Sequence, residues 1–476
     1  MALEPRVLLS ARHDPFGAGT FPAVGVGCRP DGVSAPPLDP GASNVPAAGP
    51  AIPAEDSPLS AVPLLHSRSA ATVKLYLDFD GDVPTASWGG YSVPATPAYD
   101  TDGNAAAFSD TELSAVRQMW ARVAEKYAPF NIDVTTAAPP ALTNKVAFRI
   151  VVGGDGAWYG GGGGVTWANS FSNFQPNTGY VFSKNLANGT FEFVAEAAAH
   201  EAGHGFGLQH QSIYNGTTIA NEYNPGNSLV APVMGSSYYA ARGVWWLGPN
   251  NLSSTTIQDD LSVLNNAANA FRYAVDDYGS TAATAGALAA TGGTLAATGV
   301  IEQAADLDYF SFTAATAGQA SFTANVGSYV RAETGSSAGA TLDLALELRD
   351  AGGNLIASAD TSALGETFTA NLPVAGTYYL VVRSHGAYGD LGTYVVDGTF
   401  QPAPVVSTPT NVVGQRGQFV SVPIAVDNAA GIRSFNLSLV YDTTLVDLAT
   451  ADVTAGALLP PGWSLTVTVD DAAGRV

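Results

Sequence analysis

The run HEAGHGFGLQH at residues 200–210 constrains this chain more than any other stretch. His200 and His204 are four residues apart, so on a helix their imidazoles lie on one face, one turn apart. Gly207 can adopt a backbone conformation that is closed to residues with a Cβ, which lets His210 turn back toward the first two. The chain has six histidines, and three of them lie in this run. The run therefore predicts a metal site at the end of a helix.

The ligand chemistry of this run suits one Zn²⁺ ion. Zinc accepts nitrogen ligands, and a catalytic site keeps one position open for water. Three neutral histidines leave the positive charge undiminished, and that charge lowers the pKa of bound water to about 7. Glu201 can then take the proton while the water attacks a carbonyl. A chance match in an ordinary buried helix is the alternative, and a structural zinc would need a fourth protein ligand, for which the sequence shows no candidate.

The pattern H-E-x-x-H-x-x-G-x-x-H resembles that of the metzincin clan of zinc metallopeptidases. The resemblance implies that His200, His204 and His210 bind zinc and that Glu201 is the catalytic base. It also implies an α+β catalytic domain, residues 71–273, in which a twisted mixed sheet precedes the zinc helix.

A second part of the resemblance lies in APVMGSSYY at residues 231–239. Met234 matches the Met-turn of the clan, whose Met forms an apolar floor beneath the zinc. Some metzincins place a Tyr two residues after this Met, where it contacts the zinc site. Ser236 occupies that position here, so Tyr238 or Tyr239 is the substitute candidate for stabilising the transition state.

Periodicity predicts the elements around the motif. Ser109 and Glu112 form a capping box ahead of an amphipathic helix that ends near Tyr127. The metzincin resemblance places an edge strand, which pairs with extended substrate, in GGGGGVTWANSF at 160–171. The remaining expected elements are strands at 73–81, 131–136 and 146–152, the zinc helix at 191–205 and a closing helix at 254–273.

The C-terminal half predicts all-β sandwich modules. Alternating strands between residues 275 and 401, such as DLDYFSF (306–312) and GTYYLVVRS (376–384), resemble the bacterial pre-peptidase C-terminal domain. Residues 411–476 resemble the first half of a cohesin domain, so we expect a partial cohesin-like sandwich. That resemblance implies dockerin-like or polysaccharide partners.

Residues 1–70 are rich in Pro, Ala and Gly and predict a linker or prosegment. LEPRVLLS near the start resembles the LEPR-XLL segment of large bacterial surface and secreted proteins, which implies export. Cys28, the only cysteine, lies in GVGCRPDG. In some metzincins a prosegment Cys keeps the enzyme latent as a fourth zinc ligand, and Cys28 is a candidate for that role. An unused thiol is the alternative, and the sequence favours it.

Charge excludes some partners. The net charge of −22 argues against nucleic acid and anionic membranes, and no apolar run is long enough to span a membrane. Acidic spacings at residues 78–82 and 100–104 suit Ca²⁺, although solvated turns are favoured. Asp306, Asp308 and Asp350 are read as edge charges, with Ca²⁺ as the alternative.

These observations predict a secreted or cell-surface bacterial zinc endopeptidase acting on proteins or peptides. Because its cleft is internal to residues 71–273, that domain is expected to work alone. The rival hypothesis is a cell-surface adhesion protein in which the β-modules bind and the peptidase domain is latent.

Overall fold

A computed structural model describes residues 26–28, 56–291, 293–426, 438–454 and 465–470. The chain divides into two compact units, residues 1–401 and 402–476. The LEPRVLLS segment and most of the Pro-rich stretch lie outside the described residues, so export and the prosegment assignment stay predictions.

Among its described residues, the first part of the larger unit contains fourteen strands and three α-helices. In chain order they are β1 (Val26–Cys28), β2 (Ser57–Pro58), β3 (Val73–Asp78), β4 (Ala107–Phe108), α1 (Asp110–Tyr127), β5 (Ile132–Thr135), β6 (Ala147–Val152), β7 (Gly164–Thr166), β8 (Thr178–Val181), α2 (Phe191–Gly205), β9 (Ile213–Asn215), β10 (Thr218–Asn221), β11 (Val230–Pro232), β12 (Arg242–Val244), β13 (Leu247–Pro249), β14 (Ile257–Asp259) and α3 (Asp260–Leu264).

A mixed sheet forms the frame of this part, with strand order β1-β7-β8-β6-β3-β5. Strands β3, β5, β6 and β8 are parallel, whereas β7 runs antiparallel to β8. β1 pairs antiparallel with β7 along the edge that faces away from β8. The predicted strands at 73–81, 131–136, 146–152 and 160–171 are therefore present, each shorter than predicted.

Helix α1 begins where the capping box predicts. Ser109 Oγ accepts a hydrogen bond from the Glu112 backbone N–H at 3.3 Å, and the Glu112 carboxylate accepts one from the Ser109 N–H at 2.9 Å. These bonds satisfy two backbone donors that a helix start otherwise leaves unpaired. Its apolar stripe is buried against α2 and one face of the sheet, through Val116, Met119, Trp120, Val123 and Tyr127.

The two faces of the sheet bury different side chains because neighbouring residues of a strand point to opposite sides. Phe148, Ile150 and Val152 of β6 belong to the core that the helices share. Val151 lies in a separate cluster on the other face, which contains Trp88, Val93, Val165, Trp167, Tyr180 and Phe182.

The predicted closing helix over residues 254–273 is wrong. Residues 257–259 instead form β14, paired with β13, and Asp259 caps the short α3 by accepting a hydrogen bond from Ser262 N–H at 2.8 Å. The Asn266 side chain caps a separate 3₁₀ turn, and Ala270 then has a φ of 64°. Local caps and a left-handed residue end the helix, although the apolar spacing continues.

Packing contacts begin before residue 71. β2 pairs with β4, and His66 Nδ1 lies 2.8 Å from the Asp133 carboxylate. The Thr136 side chain accepts a hydrogen bond from the Leu65 N–H at 2.8 Å. Composition assigns residues 57–70 to the linker. The structure instead includes them in the folded unit, because they contact β4, β5 and the residue after β5.

The second part of the larger unit is the predicted β-sandwich. Its elements are β15 (Gly286–Ala287), β16 (Ala289–Thr291), β17 (Thr294–Ile301), β18 (Leu307–Ala314), β19 (Gly318–Val326), α4 (Ser328–Thr334), β20 (Leu344–Asp350), β21 (Leu355–Ala359), β22 (Glu366–Leu372), β23 (Gly376–Ser384) and β24 (Gly392–Pro402). They form two five-stranded sheets, β15-β18-β23-β20-β21 and β16-β17-β24-β19-β22. Apolar side chains of both sheets, Phe310, Phe322 and Leu346 among them, are buried.

The smaller unit contains β25 (Val406–Ser407), which pairs antiparallel with β26 (Ala425–Val426), and a 3₁₀ turn at Thr450–Asp452. The partial cohesin-like sandwich stays a prediction. Among the described helices, none has the length and apolar character needed to cross a membrane.

Candidate metal centre

Helix α2 presents the first two histidines. Its bounds, Phe191–Gly205, coincide with the prediction, and the Ala-rich sequence favours helix. His200 and His204 are 4 % and 0 % exposed. Their ring centroids lie 4.7 Å apart, as the i, i+4 spacing requires.

The chain leaves α2 at Gly207, whose φ is +106°. A Cβ there would lie 2.6 Å from Asn169 Oδ1, so both the conformation and the space require glycine. The turn brings the His210 ring to 4.9 Å from His204 and 5.3 Å from His200. One nitrogen of each of the three rings lies within 4.8 Å of the others. The structure therefore brings the three predicted ligands together.

Hydrogen bonds orient each ring. His200 Nδ1 lies 2.7 Å from the Val233 carbonyl O, and His204 Nδ1 lies 2.8 Å from the Leu208 carbonyl O. His210 Nδ1 lies 2.8 Å from the Glu222 carboxylate. Because these oxygens only accept, each Nδ1 carries the proton and donates it, which leaves a lone pair on each Nε2.

The Nε2 atoms fit a cation. His200 Nε2 and His204 Nε2 lie 3.1 Å apart, and two facing lone pairs repel unless a cation or a proton lies near both. The buried His210 Nε2 has no hydrogen-bond partner among the described residues. Burial lowers the pKa of His200 to about 3 and that of His204 well below its usual range, so both stay neutral. Three imidazoles with Nε2 lone pairs close together match the ligand set of a catalytic zinc.

Glu201 follows His200 directly on α2 and is fully buried. A Cβ on Gly164 would lie 2.7 Å from both Cγ and Oε1 of Glu201. The carboxylate therefore contacts the first residue of β7, the strand at which an extended substrate is expected to pair.

Met234 is buried against α2, and its role as the floor of the zinc site stays a prediction. It is 0 % exposed, and its Sδ would lie 2.5 Å from a Cβ on Gly203. Gly203 thus lets the turn approach α2 between the two helical histidines.

Tyr238 and Tyr239 lie against the start of α2. Both rings are 5.4 Å from that of Phe193, and Tyr239 is 65 % exposed. The Tyr238 hydroxyl would lie 3.2 Å from a Cβ on Gly163, the residue just before β7. Their role in the transition state stays a prediction.

Two neighbours of the histidines escape the sequence reasoning. Glu222 accepts the His210 hydrogen bond, and that bond lowers the pKa of Glu222. Tyr223 places its ring 4.3 Å from that of His210 and 6.4 Å from that of His200. Both residues lie in an aperiodic polar segment, and the only sequence signal is their position shortly after the third histidine.

Strand β1 pairs with β7, the strand that contacts Glu201. The Cα atoms of Val26, Gly27 and Cys28 are opposite those of Thr166, Val165 and Gly164. The Cys28 backbone therefore lies beside the residue that contacts Glu201. The Cys28 side chain lies outside the described atoms, and its role in latency stays a prediction.

The acidic spacings have different environments. Asp78 and Asp82 pair with Arg149 at 3.4 and 3.0 Å. Asp350 accepts hydrogen bonds from the backbone of its own turn, including Gly352 N–H at 2.9 Å. Asp82 and Asp350 therefore have polar partners, whereas the buried Asp78 Oδ1 has no hydrogen-bond partner among the described residues.

Other carboxylates converge more closely. Three sets bring their oxygens within 4.8 Å: Asp100, Asp102 and Glu112; Asp276, Glu302 and Asp306; and Asp276, Asp277 and Asp308. Burial raises the pKa of Glu302 to about 10 and that of Asp308 to about 9. The Ca²⁺ hypothesis stays a prediction for these sets.

Comparison with known proteins bears on the sandwich. Residues 306–384 match the family model of the bacterial pre-peptidase C-terminal domain. No curated protein matches the chain. Among solved structures, the pre-peptidase C-terminal domain of a collagenase from Bacillus anthracis is 17 % identical, covering 24 % of this chain and 94 % of that one with a TM-score of 0.19. The lysozyme inhibitor PliG of Aeromonas hydrophila is 15 % identical, covering 25 % and 96 % of the two chains with a TM-score of 0.18.

The family match confirms one of the three resemblances drawn for the folded modules. It covers strands β18 to β23, whose alternating patterns predicted this module. The larger unit therefore carries a pre-peptidase C-terminal domain behind the part that holds the candidate metal centre.

Proposed function

We propose that the chain is a secreted zinc-dependent endopeptidase of metzincin type. The observation that carries the proposal is the convergence of three oriented Nε2 lone pairs at the end of α2, the helix that also carries the buried Glu201. The pre-peptidase C-terminal domain is typical of secreted bacterial proteases, which supports the same context.

His200, His204 and His210 would hold the zinc ion through Nε2. When bound, zinc supplies a Lewis acid that activates water and polarises the scissile carbonyl. Val233, Leu208 and Glu222 keep the three rings in the ligating tautomer, because their oxygens accept from Nδ1.

Strand β7 would bind the substrate and Glu201 would move the proton. An extended peptide adds to a free sheet edge through main-chain hydrogen bonds, and β7 already pairs with β1 in that manner. Since Glu201 contacts Gly164, its carboxylate lies close to the β7 backbone with which a substrate would pair. It takes a proton from the attacking water and passes it to the leaving amine.

Two further roles belong to this proposal. Cys28 supplies a thiolate that keeps the enzyme latent until the N-terminal segment leaves β7. Ca²⁺ binds among the carboxylates around Asp276 and stabilises the sandwich. Thiol modification, with release of proteolytic activity as the readout, tests the first role. Calcium titration, with the melting temperature as the readout, tests the second.

Glu201→Gln in the full chain tests the function. Casein and a peptide library are digested with and without chelator, and the products are identified by mass spectrometry. We expect chelator-sensitive cleavage by the parent and its loss in the variant, with zinc content unchanged. Glu192→Gln is the matched control, because Glu192 lies in the first turn of the same helix.

Unchanged proteolysis in Glu201→Gln would refute the mechanism. A parent chain that binds zinc, cleaves nothing after thiol treatment, and adheres to surfaces would favour the adhesion hypothesis instead.

A further inference from the structure

The sandwich binds the metal-centre part at Arg242, the first residue of β12. Arg242 Nη1 donates to the Asp390 carboxylate at 2.8 Å and to the Thr341 carbonyl O at 3.0 Å. Its Nη2 lies 3.6 Å from Asp343. The Arg242 and Asp390 side chains are 11 % and 2 % exposed, so this ion pair is largely removed from water.

One hydrogen bond connects β12, which begins at Arg242, to Val233, the residue whose carbonyl orients His200. β12 pairs in parallel with β11, and the Val233 N–H donates to the Val244 carbonyl O at 2.9 Å. The carbonyl of that same Val233 accepts from His200 Nδ1 at 2.7 Å. A shift of β12 therefore moves the atom that orients His200.

A second contact leads to His210. The Tyr388 hydroxyl donates to Asp259 Oδ1 at 2.5 Å and accepts from the Leu261 N–H at 3.0 Å. The residue between them, Asp260, is 0 % exposed and accepts from Gln211 Nε2 at 2.8 Å. Gln211 follows His210 directly, and its N–H donates to the Met234 carbonyl O at 2.7 Å.

The interface also contains a buried carboxylate. Glu125 of α1 accepts from the Thr393 N–H and from Thr393 Oγ1, each at 2.8 Å. Its neighbour Lys126 donates to the Gly243 carbonyl O of β12 at 2.9 Å and pairs with Glu196 of α2 at 2.8 Å. Only the Thr393 bonds cross between the two parts, so separating the parts would leave the buried Glu125 carboxylate without these two donors.

We propose that the pre-peptidase C-terminal domain positions the metal centre, with Arg242 and Tyr388 as positioning residues. The inference rests on the proposed function and extends it. It differs from the expectation that residues 71–273 work alone, because two hydrogen-bond paths run from the sandwich to groups that orient His200 and flank His210.

Four full-length variants test this inference. Arg242→Ala removes the ion pair, Arg242→Lys keeps its charge, and Tyr388→Phe removes one hydroxyl. Arg349→Ala is the matched control, because Arg349 donates to Glu347 and to Gly353 within the sandwich. Each variant is loaded with Co²⁺, and the dissociation constant is measured by chelator competition at a temperature where melting curves show every variant folded.

We expect Arg242→Ala and Tyr388→Phe to raise the Co²⁺ dissociation constant about fivefold to tenfold. Mutating a residue that hydrogen-bonds directly to a metal ligand typically weakens metal binding about 10- to 100-fold, and these two residues act one step further away. The cobalt absorption band should shift in both, kcat should fall, and KM should stay constant. Arg242→Lys should recover part of the affinity, and Arg349→Ala should match the parent.

Parent-like affinities and spectra in Arg242→Ala and Tyr388→Phe would overturn the inference and leave the peptidase assignment standing. An equal loss in Arg349→Ala would also overturn it, since general destabilisation would then explain the effect. A parent chain that binds Co²⁺ yet cleaves no peptide would sink the peptidase assignment alone, because the affinities still decide the positioning role.

Discussion

Replacing Gly164 with Ala adds one methyl group where β7 meets the proposed catalytic base. That Cβ would lie 2.7 Å from Glu201 Cγ, 2.7 Å from Glu201 Oε1 and 2.7 Å from the Tyr180 carbonyl O. Since the Tyr180 carbonyl is backbone of the neighbouring strand β8, it cannot move away freely. Glu201 or β7 must therefore shift.

The size of the effect follows from that overlap. Carbon atoms pack best at about 3.5–4.0 Å, so the distance between Glu201 and β7 must grow by about 1 Å. Overpacking of this kind costs about 1–3 kcal/mol of stability. A misplacement of about 1 Å at the reacting groups costs about 100-fold in rate, so kcat/KM should fall by that factor. Zinc content should not change, because none of the three atoms nearest to the methyl group belongs to a histidine.

The assay compares kcat/KM, zinc content and melting temperature for the parent and two variants. Gly163→Ala is the control, because its Cβ would lie 3.2 Å from Leu186 Cδ2 and 3.2 Å from the Tyr238 hydroxyl, both ends of side chains that can move. We expect Gly163→Ala to lose far less kcat/KM than Gly164→Ala, because no Glu201 atom lies within 4 Å of that Cβ. Parent-like kcat/KM in Gly164→Ala, or an equal loss in both variants, would refute the reasoning.

Three further predictions concern other parts of the unit. Glu222→Gln should weaken zinc binding about 10- to 100-fold in chelator competition, because the amide is a poorer acceptor for His210 Nδ1; parent affinity would contradict this. Burial raises the pKa of Glu125 from 4.5 to about 7, so the folded chain holds a proton that the unfolded chain releases, and stability falls as pH rises through that window. Glu125→Gln should therefore gain about 3 kcal/mol on the parent between pH 4.5 and pH 8 in urea denaturation, whereas parallel curves would contradict it. Cys28→Ser should cleave casein without the lag of the parent, and an unchanged lag would exclude Cys28 as the latency ligand.

Local sequence patterns predict several elements at residue level. The Ser109–Glu112 capping box places the start of α1, and the bounds of α2 agree with the prediction. Gly207 has the positive φ that its place in the motif requires. These features depend on groups within about four residues of one another, so a short stretch of sequence contains all the interacting partners.

Local patterns fail where distant groups compete with them. The apolar spacing between residues 254 and 273 predicts a helix, but Ile257–Asp259 pairs with β13, and the Asp259 and Asn266 side chains cap short turns instead. Glu222 gives no signal in its polar segment, although it orients the third ligand. The partner that decides the structure lies outside the window in each case.

By itself the sequence determined the spacing of three histidines, the glycine that turns the chain and the alternation that makes the sandwich. Only the tertiary structure decided which carbonyls and carboxylate orient the rings, that Gly164 contacts Glu201, and that Arg242 joins Asp390 across 148 residues. The physical reason is that helix faces and turns follow from short-range sterics and hydrogen bonds. Contacts between distant segments depend on how the sheet, α2 and the sandwich pack, and no local pattern encodes that packing.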